Sequence, residues 1–198
     1  MPPRHKFIRL RGYDYAQGGA YFVTINTYGR RHLLGRVVAG TANTDAFVEL
    51  SDDGLIVQEC WDGIPVHFPG VFTDAFQIMP DHLHGIVVIG AAHGPAADNG
   101  AARAAVGNGA AGPVWSMRCI DATDPRPRGS KPRSLSAIVG SFKSAATKRI
   151  NLLRGTPGAP VWQHNYHDRI IRDGGEHERI AQYIHDNPTK WANDPGNR

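Results

Sequence analysis

Near the middle of the chain, one short stretch leaves the backbone almost no freedom. His82-Leu83-His84-Gly85-Ile86-Val87-Val88-Ile89 ends in an unbroken β-branched run. Such side chains crowd the turns of a helix and pack well on a pleated strand. Successive strand side chains point to opposite faces, so His82 and His84 share one face and Leu83 turns away. Ile86 and Val88 continue the histidine face as apolar packing. Pro80-Asp81 just ahead reads as a turn, and Val71 to Met79 before it as a partner strand. The histidines therefore stand at the mouth of a hairpin. Two imidazoles so placed can hold one metal ion or contact one phosphate, and two ordinary strand histidines give the same pattern.

The rest of the chain supplies elements that could complete a sheet around that strand. Ala20 to Thr27 is rich in aromatic and β-branched residues and reads as a first strand, and 33–50 as an irregular hairpin containing Val37-Val38 and Phe47-Val48. Ser51-Asp52-Asp53 places a capping oxygen and two acids at a helix start. Ile56, Val57, Cys60, Trp61 and Ile64 give that helix one apolar stripe, and Pro65 is expected to end it. A second long helix begins at Ser134, with Leu135, Ile138, Val139, Phe142, Ala146, Ile150 and Leu153 as its buried stripe. Val161 to Ile171 reads as a strand. Gly174-Gly175 then turns into a last helix from Glu176 to about Asp186, closed by Asn187-Pro188. The order strand, helix, strand, strand, helix, strand predicts an α+β fold of the ferredoxin-like, split βαβ kind. Its antiparallel sheet would carry helices packed on one face.

Residues 91–133 are a different material, dominated first by Ala, Gly, Pro and Asn and then by Pro and Arg. They are expected to form a disordered insertion in a single domain spanning 1–198. At 41 % hydrophobic and 20 % charged residues, the 198-residue chain has the make-up of a soluble globular protein with one core. A net charge of +4 and a pI near 9.3 suit a polyanionic partner. Cys60 and Cys119 lie far apart without CxxC spacing, which argues against a cysteine-based zinc site or disulfide framework and for a reducing compartment. No signal-type run follows Met1, and the longest apolar stretch, around Gly85 to Ala92, is too short to span a bilayer. A cytoplasmic protein with no membrane partner is the expectation.

Much later, Ile180, Tyr183, Ile184 and Asn187 fall on one face of a helix. Alone, that face makes Tyr183 as good a core tyrosine as a functional one, and Asn187 an ordinary helix-end residue. Beside the histidines it acquires a chemical reading. A phenol with a pKa of about 10 becomes a useful nucleophile only next to a metal ion or a base. His82, His84 and the amide oxygen of Asn187, one helical turn from Tyr183, would give mixed nitrogen and oxygen ligands with positions left open. Such a set suits Mg²⁺ or Mn²⁺ in phosphoryl transfer. Asp186 is a fallback ligand, and His164 or His167 could relay a proton.

On these residues the sequence resembles the REP-associated tyrosine transposases, a single-tyrosine branch of the HUH superfamily of single-strand DNA nucleases. Met79-Pro80-Asp81-His82-Leu83-His84-Gly85 matches the histidine motif, and Tyr183-Ile184-His185-Asp186-Asn187-Pro188 the tyrosine helix. Further likeness lies in Phe142-Lys143-Ser144, in Val161 to Arg172 and in Trp61 to Phe68. The resemblance implies that His82 and His84 bind a divalent metal ion. It implies also that Tyr183 attacks a phosphodiester of single-stranded DNA beside a repeat hairpin, leaving a 5′-phosphotyrosine link and a free 3′-OH. Related insertion-sequence transposases carry Gln where Asn187 stands, a departure with a shorter reach. A single tyrosine in the helix motif argues against the two-tyrosine branches.

Arg4, Lys6, Arg9, Arg11, Arg30, Arg31, Lys143, Lys148 and Arg149 are candidates for phosphate contacts, with a solvated surface as the alternative. Tyr13, Tyr15 and Tyr28 could stack on unpaired bases. A repeat-hairpin binding protein that does not cut, and a metal phosphoesterase using activated water, remain rival readings. Related enzymes can place one subunit's tyrosine helix over the other's histidines, so monomer and homodimer both stay open.

Overall fold

The computed structural model describes residues 13–41, 45–90 and 132–194. Arg4, Lys6, Arg9 and Arg11, and all but the last two residues of the expected 91–133 insertion, lie outside them. A four-stranded antiparallel sheet organises the described chain. Its strands are β1 (Gly19–Asn26), β4 (Val71–Met79), β5 (His82–Ile89) and β6 (His167–Ile171), in the spatial order β4-β5-β1-β6. The hairpin strand β5 thus separates β1 from β4, which is the split βαβ arrangement. β2 (Gly35–Val38) and β3 (Phe47–Leu50) pair antiparallel as a separate ribbon, the hairpin expected between 33 and 50.

Both long helices begin where a capping hydroxyl predicts. Ser51 Oγ accepts the Gly54 N–H at 3.2 Å to open α1 (Asp52–Asp62), and Ser134 Oγ accepts the Ala137 N–H at 3.3 Å to open α3 (Leu135–Arg154). Gly155, at φ 62°, ends α3 in the left-handed conformation that glycine adopts without Cβ strain. α1 and α3 lie over one sheet face, where Trp61, Val57, Ile138, Val139 and Phe142 meet Tyr21, Val23, Ile25, Leu83 and Val87 in one buried cluster. Trp61 stacks on Phe76 with ring centroids 4.5 Å apart. A Cβ at Gly85 would stand 2.4 Å from the Trp61 ring, so the strand needs glycine there for the indole to lie against the sheet. Asp53 with Arg154 and Glu59 with Arg149 tie the two helices by ion pairs.

Several boundaries differ from expectation, each for a local reason. α1 ends before Gly63, and Pro65 sits in the first turn of α2 (Ile64–His67), where its missing N–H costs nothing. Leu153 lies outside the buried stripe of α3, 56 % exposed. The expected strand 161–171 is regular only from His167. Trp162 makes a single bridge to Thr27, and the Gln163 and His164 carbonyls are taken by Lys143 rather than by a neighbouring strand. Asp173 caps the last long helix by accepting the Glu176 N–H at 2.7 Å, which draws Gly174 and Gly175 into α4 (Gly174–His185) instead of a turn. Pro188 lies in the first turn of a further short helix, α5 (Asn187–Asn193).

α4 packs on the other sheet face, through Ile184, Ile180 and Ala181 against Ile86, Ile171, Phe22 and Val88. The helix pair α1 and α3 therefore occupies one face as expected, and the tyrosine-bearing helix covers the face that carries the histidines. No helix among the described residues is long and apolar enough to cross a membrane.

Candidate active site

Strand pairing assembles the site. His82 stands opposite Asn26 of β1 and Met79 of β4, and His84 opposite Thr24 and Gln77. Opposed residues share a face, so these side chains, all polar but Met79, cross the sheet at one end. The two imidazoles meet, with Nε2 to Nε2 at 3.0 Å and both side chains buried. Each ring is held from behind. His82 Nδ1 lies 2.6 Å from Asp81 Oδ1, and His84 Nδ1 lies 2.8 Å from Thr24 Oγ1. A carboxylate accepting from Nδ1–H favours the tautomer that leaves the Nε2 lone pair of His82 facing the pocket, the usual support behind a metal-binding histidine. Burial, the neighbouring His82 and the Arg30 charge bring the His84 imidazole down to about 3, so it is neutral and ligand-ready near pH 7.

Asp81 is in turn anchored. Burial works to raise its carboxyl, yet the contact with His82 and the Arg30 guanidinium hold it below the usual carboxylate range. Arg30 Nε lies 2.7 Å from Asp81 Oδ2, and Arg30 Nη1 donates to Asn26 Oδ1 at 2.6 Å. Reaching both requires Gly29 at φ 64° and then Arg30 at φ 55°. The second of these costs a residue with a Cβ roughly 1–2 kcal/mol. Strain of that kind is retained where neighbouring contacts over-determine it, and here two polar contacts do so.

α4 lowers Tyr183 onto this face. Its ring lies edge-on to His84 at 5.5 Å between centroids and to Phe22 at 6.2 Å, while Phe22 stacks on His84 at 5.4 Å. Tyr183 remains 42 % exposed, so its hydroxyl-bearing ring is open to a large substrate. Lys190 of α5 places Nζ 5.0 Å from the Tyr183 ring centroid, a cation–π contact. Trp191 packs beside His82 at 5.6 Å and His32 at 5.8 Å. The tyrosine and the histidines that the sequence singles out thus meet within a single chain.

The remaining sequence candidates are distributed as follows. Asn187 is buried and donates its amide to the Tyr183 carbonyl at 3.0 Å, so only its Oδ1 is left to serve as a ligand. The Asp186 carboxylate accepts from Gln182 at 2.6 Å and faces Lys190 at 3.4 Å, engaged along its own helix face. His185 and His164 are exposed, and His167 lies on β6 opposite Thr24. Arg31 donates to the Tyr28 and Pro160 carbonyls, and Lys143 to those of Gln163 and His164. Lys148 is exposed. Asp81, Thr24 and Trp191 were not singled out by sequence. Asp81 could have been, as an acid directly before the first histidine, whereas Thr24 and Trp191 become visible only once strand register and helix docking are known.

The donor set fits a divalent ion. With metal–nitrogen bonds of about 2.1 Å, nitrogens 3.0 Å apart subtend roughly a right angle, that of adjacent ligands in an octahedron, the geometry Mg²⁺ demands. Among the described residues no group of three or more His, Cys, Asp or Glu side chains is placed to hold a metal ion together. Any further ligand from those residues would have to be of another kind, such as the Asn187 amide oxygen.

No family model matches the chain. An uncharacterized protein of Haemophilus influenzae is 31 % identical over 187 residues, covering 94 % of this chain and 89 % of that one. Among solved structures, that of the REP-associated tyrosine transposase bound to a REP hairpin superposes with a TM-score of 0.54 at 16 % identity. It covers 92 % of this chain and 73 % of that one. At such identity the likeness speaks to the fold.

Proposed function

We propose, for a chain that belongs to the same family as the uncharacterized Haemophilus influenzae protein, that it is a metal-dependent single-stranded DNA endonuclease and strand transferase of the REP-associated tyrosine transposase kind, with Tyr183 as nucleophile. One observation carries the reading: an exposed tyrosine ring lies 5.5 Å from one member of a buried histidine pair whose outer nitrogens are already held by Asp81 and Thr24. Pure hairpin binding needs no such arrangement, and a hydrolytic phosphoesterase has no use for a tyrosine there.

His82 and His84 would hold Mg²⁺ or Mn²⁺, with the Asn187 oxygen as a third ligand. Bound there, the ion would polarise the scissile phosphate and offset the charge that builds on it. The Tyr183 oxygen attacks phosphorus as the bond to the 3′ oxygen breaks, giving a 5′-phosphotyrosine and a 3′-OH. Attack by a 3′-OH on the phosphotyrosine reverses the linkage, rejoins the strand and returns the phenol. Asp81 keeps His82 in the tautomer with Nε2 open, and Phe22 fixes the ring planes of His84 and Tyr183. DNA carrying a repeat hairpin is the proposed partner.

The test is a denaturing gel of the protein with end-labelled single-stranded hairpin DNA and Mn²⁺, beside Tyr183→Phe and the double variant His82→Ala/His84→Ala. The expected result is a metal-dependent protein–DNA adduct that both variants lack. Cleavage without adduct, unchanged in Tyr183→Phe, would replace this reading with the phosphoesterase. Tight binding without any cleavage would leave a hairpin-binding protein.

A further inference from the structure

Behind the sheet end that carries the histidines, the second half of α3 and the segment 157–164 part to form a cleft of about 850 Å³. That volume lies in the range of pockets that enclose small organic ligands, ample for one nucleotide. Pro160, Val161 and Trp162 give it an apolar floor, while Lys143, Lys148 and His164 stand among its walls. No acid is found among the described residues that line it.

The two lysines differ in what they can offer. Lys143 Nζ spends two of its three N–H groups on the Gln163 and His164 carbonyls at 2.6 and 3.0 Å, leaving one for a ligand. Lys148, five residues on, is exposed and forms no ion pair with the other described residues. Apolar floor and cationic walls suit an aromatic ring joined to a phosphate.

Continuity with the reaction centre selects the strand itself as occupant. Gln163, at the cleft wall, accepts from Asn26 Nδ2 at 3.4 Å, and Asn26 Oδ1 accepts from Arg30, which holds the Asp81 that holds His82. A polar path therefore leads from cleft to histidine pair along the sheet end. We propose that the cleft is a nucleotide subsite for the single-stranded flank of the DNA. An unpaired base lies on the Pro160 to Trp162 floor, and phosphates meet Lys148 and the free Lys143 N–H. The strand continues past Gln163 and Arg30 to Tyr183. This subsite rests on the nuclease reading above and adds to it a substrate track that neither the histidines nor the tyrosine defines.

Fluorescence anisotropy with labelled oligothymidylate across a salt series tests it, together with photocrosslinking of the same oligomer carrying 5-iodouracil. Lys148→Ala should lower the slope of log affinity against log salt by about 1, and Lys148→Glu should weaken binding about 10-fold at low salt. Leu152→Lys, on the exposed rim of the cleft, should raise the slope by a similar amount, a gain that misfolding cannot mimic. Arg36→Glu, on the separate β2–β3 ribbon, should leave the crosslink position unchanged. Crosslinks are expected within 157–164. Unchanged slopes in Lys148→Ala and Leu152→Lys and unchanged affinity in Lys148→Glu, with crosslinks elsewhere, overturn the subsite. If the wild type still forms its Tyr183 adduct in that case, the nuclease reading survives. If the wild type binds no oligonucleotide at all, both fall together.

Discussion

On the sheet face under α1 and α3, Tyr21, Val23, Ile25, Leu83 and Val87 are wholly buried. One residue along the same strands, Thr24, Asn26, His82 and His84 point the other way. The two histidines are nearly as buried as the core, at 6 % and 5 % exposure. Burial therefore does not separate structural from chemical duty here; the treatment of polar atoms does. The first face excludes them almost entirely, leaving Trp61 Nε1 without an acceptor among the described residues. The second answers them in sequence, His84 by Thr24, His82 by Asp81 and Asp81 by Arg30. A buried polar chain is favourable only when satisfied throughout. Such a chain holds its members in one geometry, as a ligand pair requires.

The contrast predicts that substitutions on one face cost stability and on the other cost site chemistry. Trp61→Ala should have the largest effect, a loss of about 3–5 kcal/mol in chemical denaturation, because it empties the space between Gly85, Phe76 and Phe142. Below its unfolding transition the variant should still bind Mn²⁺; loss of metal binding there would show that the faces are not separable. Asp81→Ala should weaken Mn²⁺ binding about 10- to 100-fold in calorimetric titration. An unchanged affinity would remove Asp81 from the support of His82. Gly85→Ala, which adds one methyl against the Trp61 ring, should cost about 1–3 kcal/mol from the core side alone. Its Mn²⁺ affinity should match the wild type although it sits between the histidine pair and the core.

A pH-dependent effect concerns Lys143, whose ammonium is brought down to about 8 by burial. The unfolded chain keeps that proton up to about 10.4, so between these values the unfolded state binds more protons and stability rises with pH. Below about pH 8 the contribution is constant. Unfolding curves of wild type and Lys143→Met should therefore converge upward through this window, the wild type gaining on the variant. Parallel curves would mean that the lysine is not held in a poorly solvated position.

The sequence made the sheet legible because alternation is a local signal. The run Ile86 to Ile89, the Pro80-Asp81 turn and the capping serines at 51 and 134 each constrain the backbone without reference to distant residues. So does the shared face of His82 and His84. The support around the histidines was not legible. Thr24 stands behind His84 only because β1 pairs with β5 in one particular register, and Arg30 reaches Asp81 only through two left-handed residues. The misplaced boundaries have the opposite origin, local signals read with the wrong sign. Pro65 and Pro188 do follow the ends of α1 and α4, and each also opens a further short helix, because proline's fixed φ favours a first turn. Gly174-Gly175 reads as a turn, although Asp173 before it offers a cap. Leu153 counts as apolar in the stripe of α3 yet turns to solvent.

The central claim is that Tyr183 and the histidine pair form one reaction centre. Its most direct test is tandem mass spectrometry of the protein after reaction with single-stranded hairpin DNA, Mn²⁺ and nuclease trimming. Trypsin releases the peptide from Ile180 to Lys190, in which Tyr183 is the sole tyrosine. The account predicts a 5′-phosphonucleotide on Tyr183, absent when His82 and His84 are replaced by alanine. Cut DNA accompanied by an unmodified Ile180–Lys190 peptide, or by a nucleotide on any other residue, would contradict it.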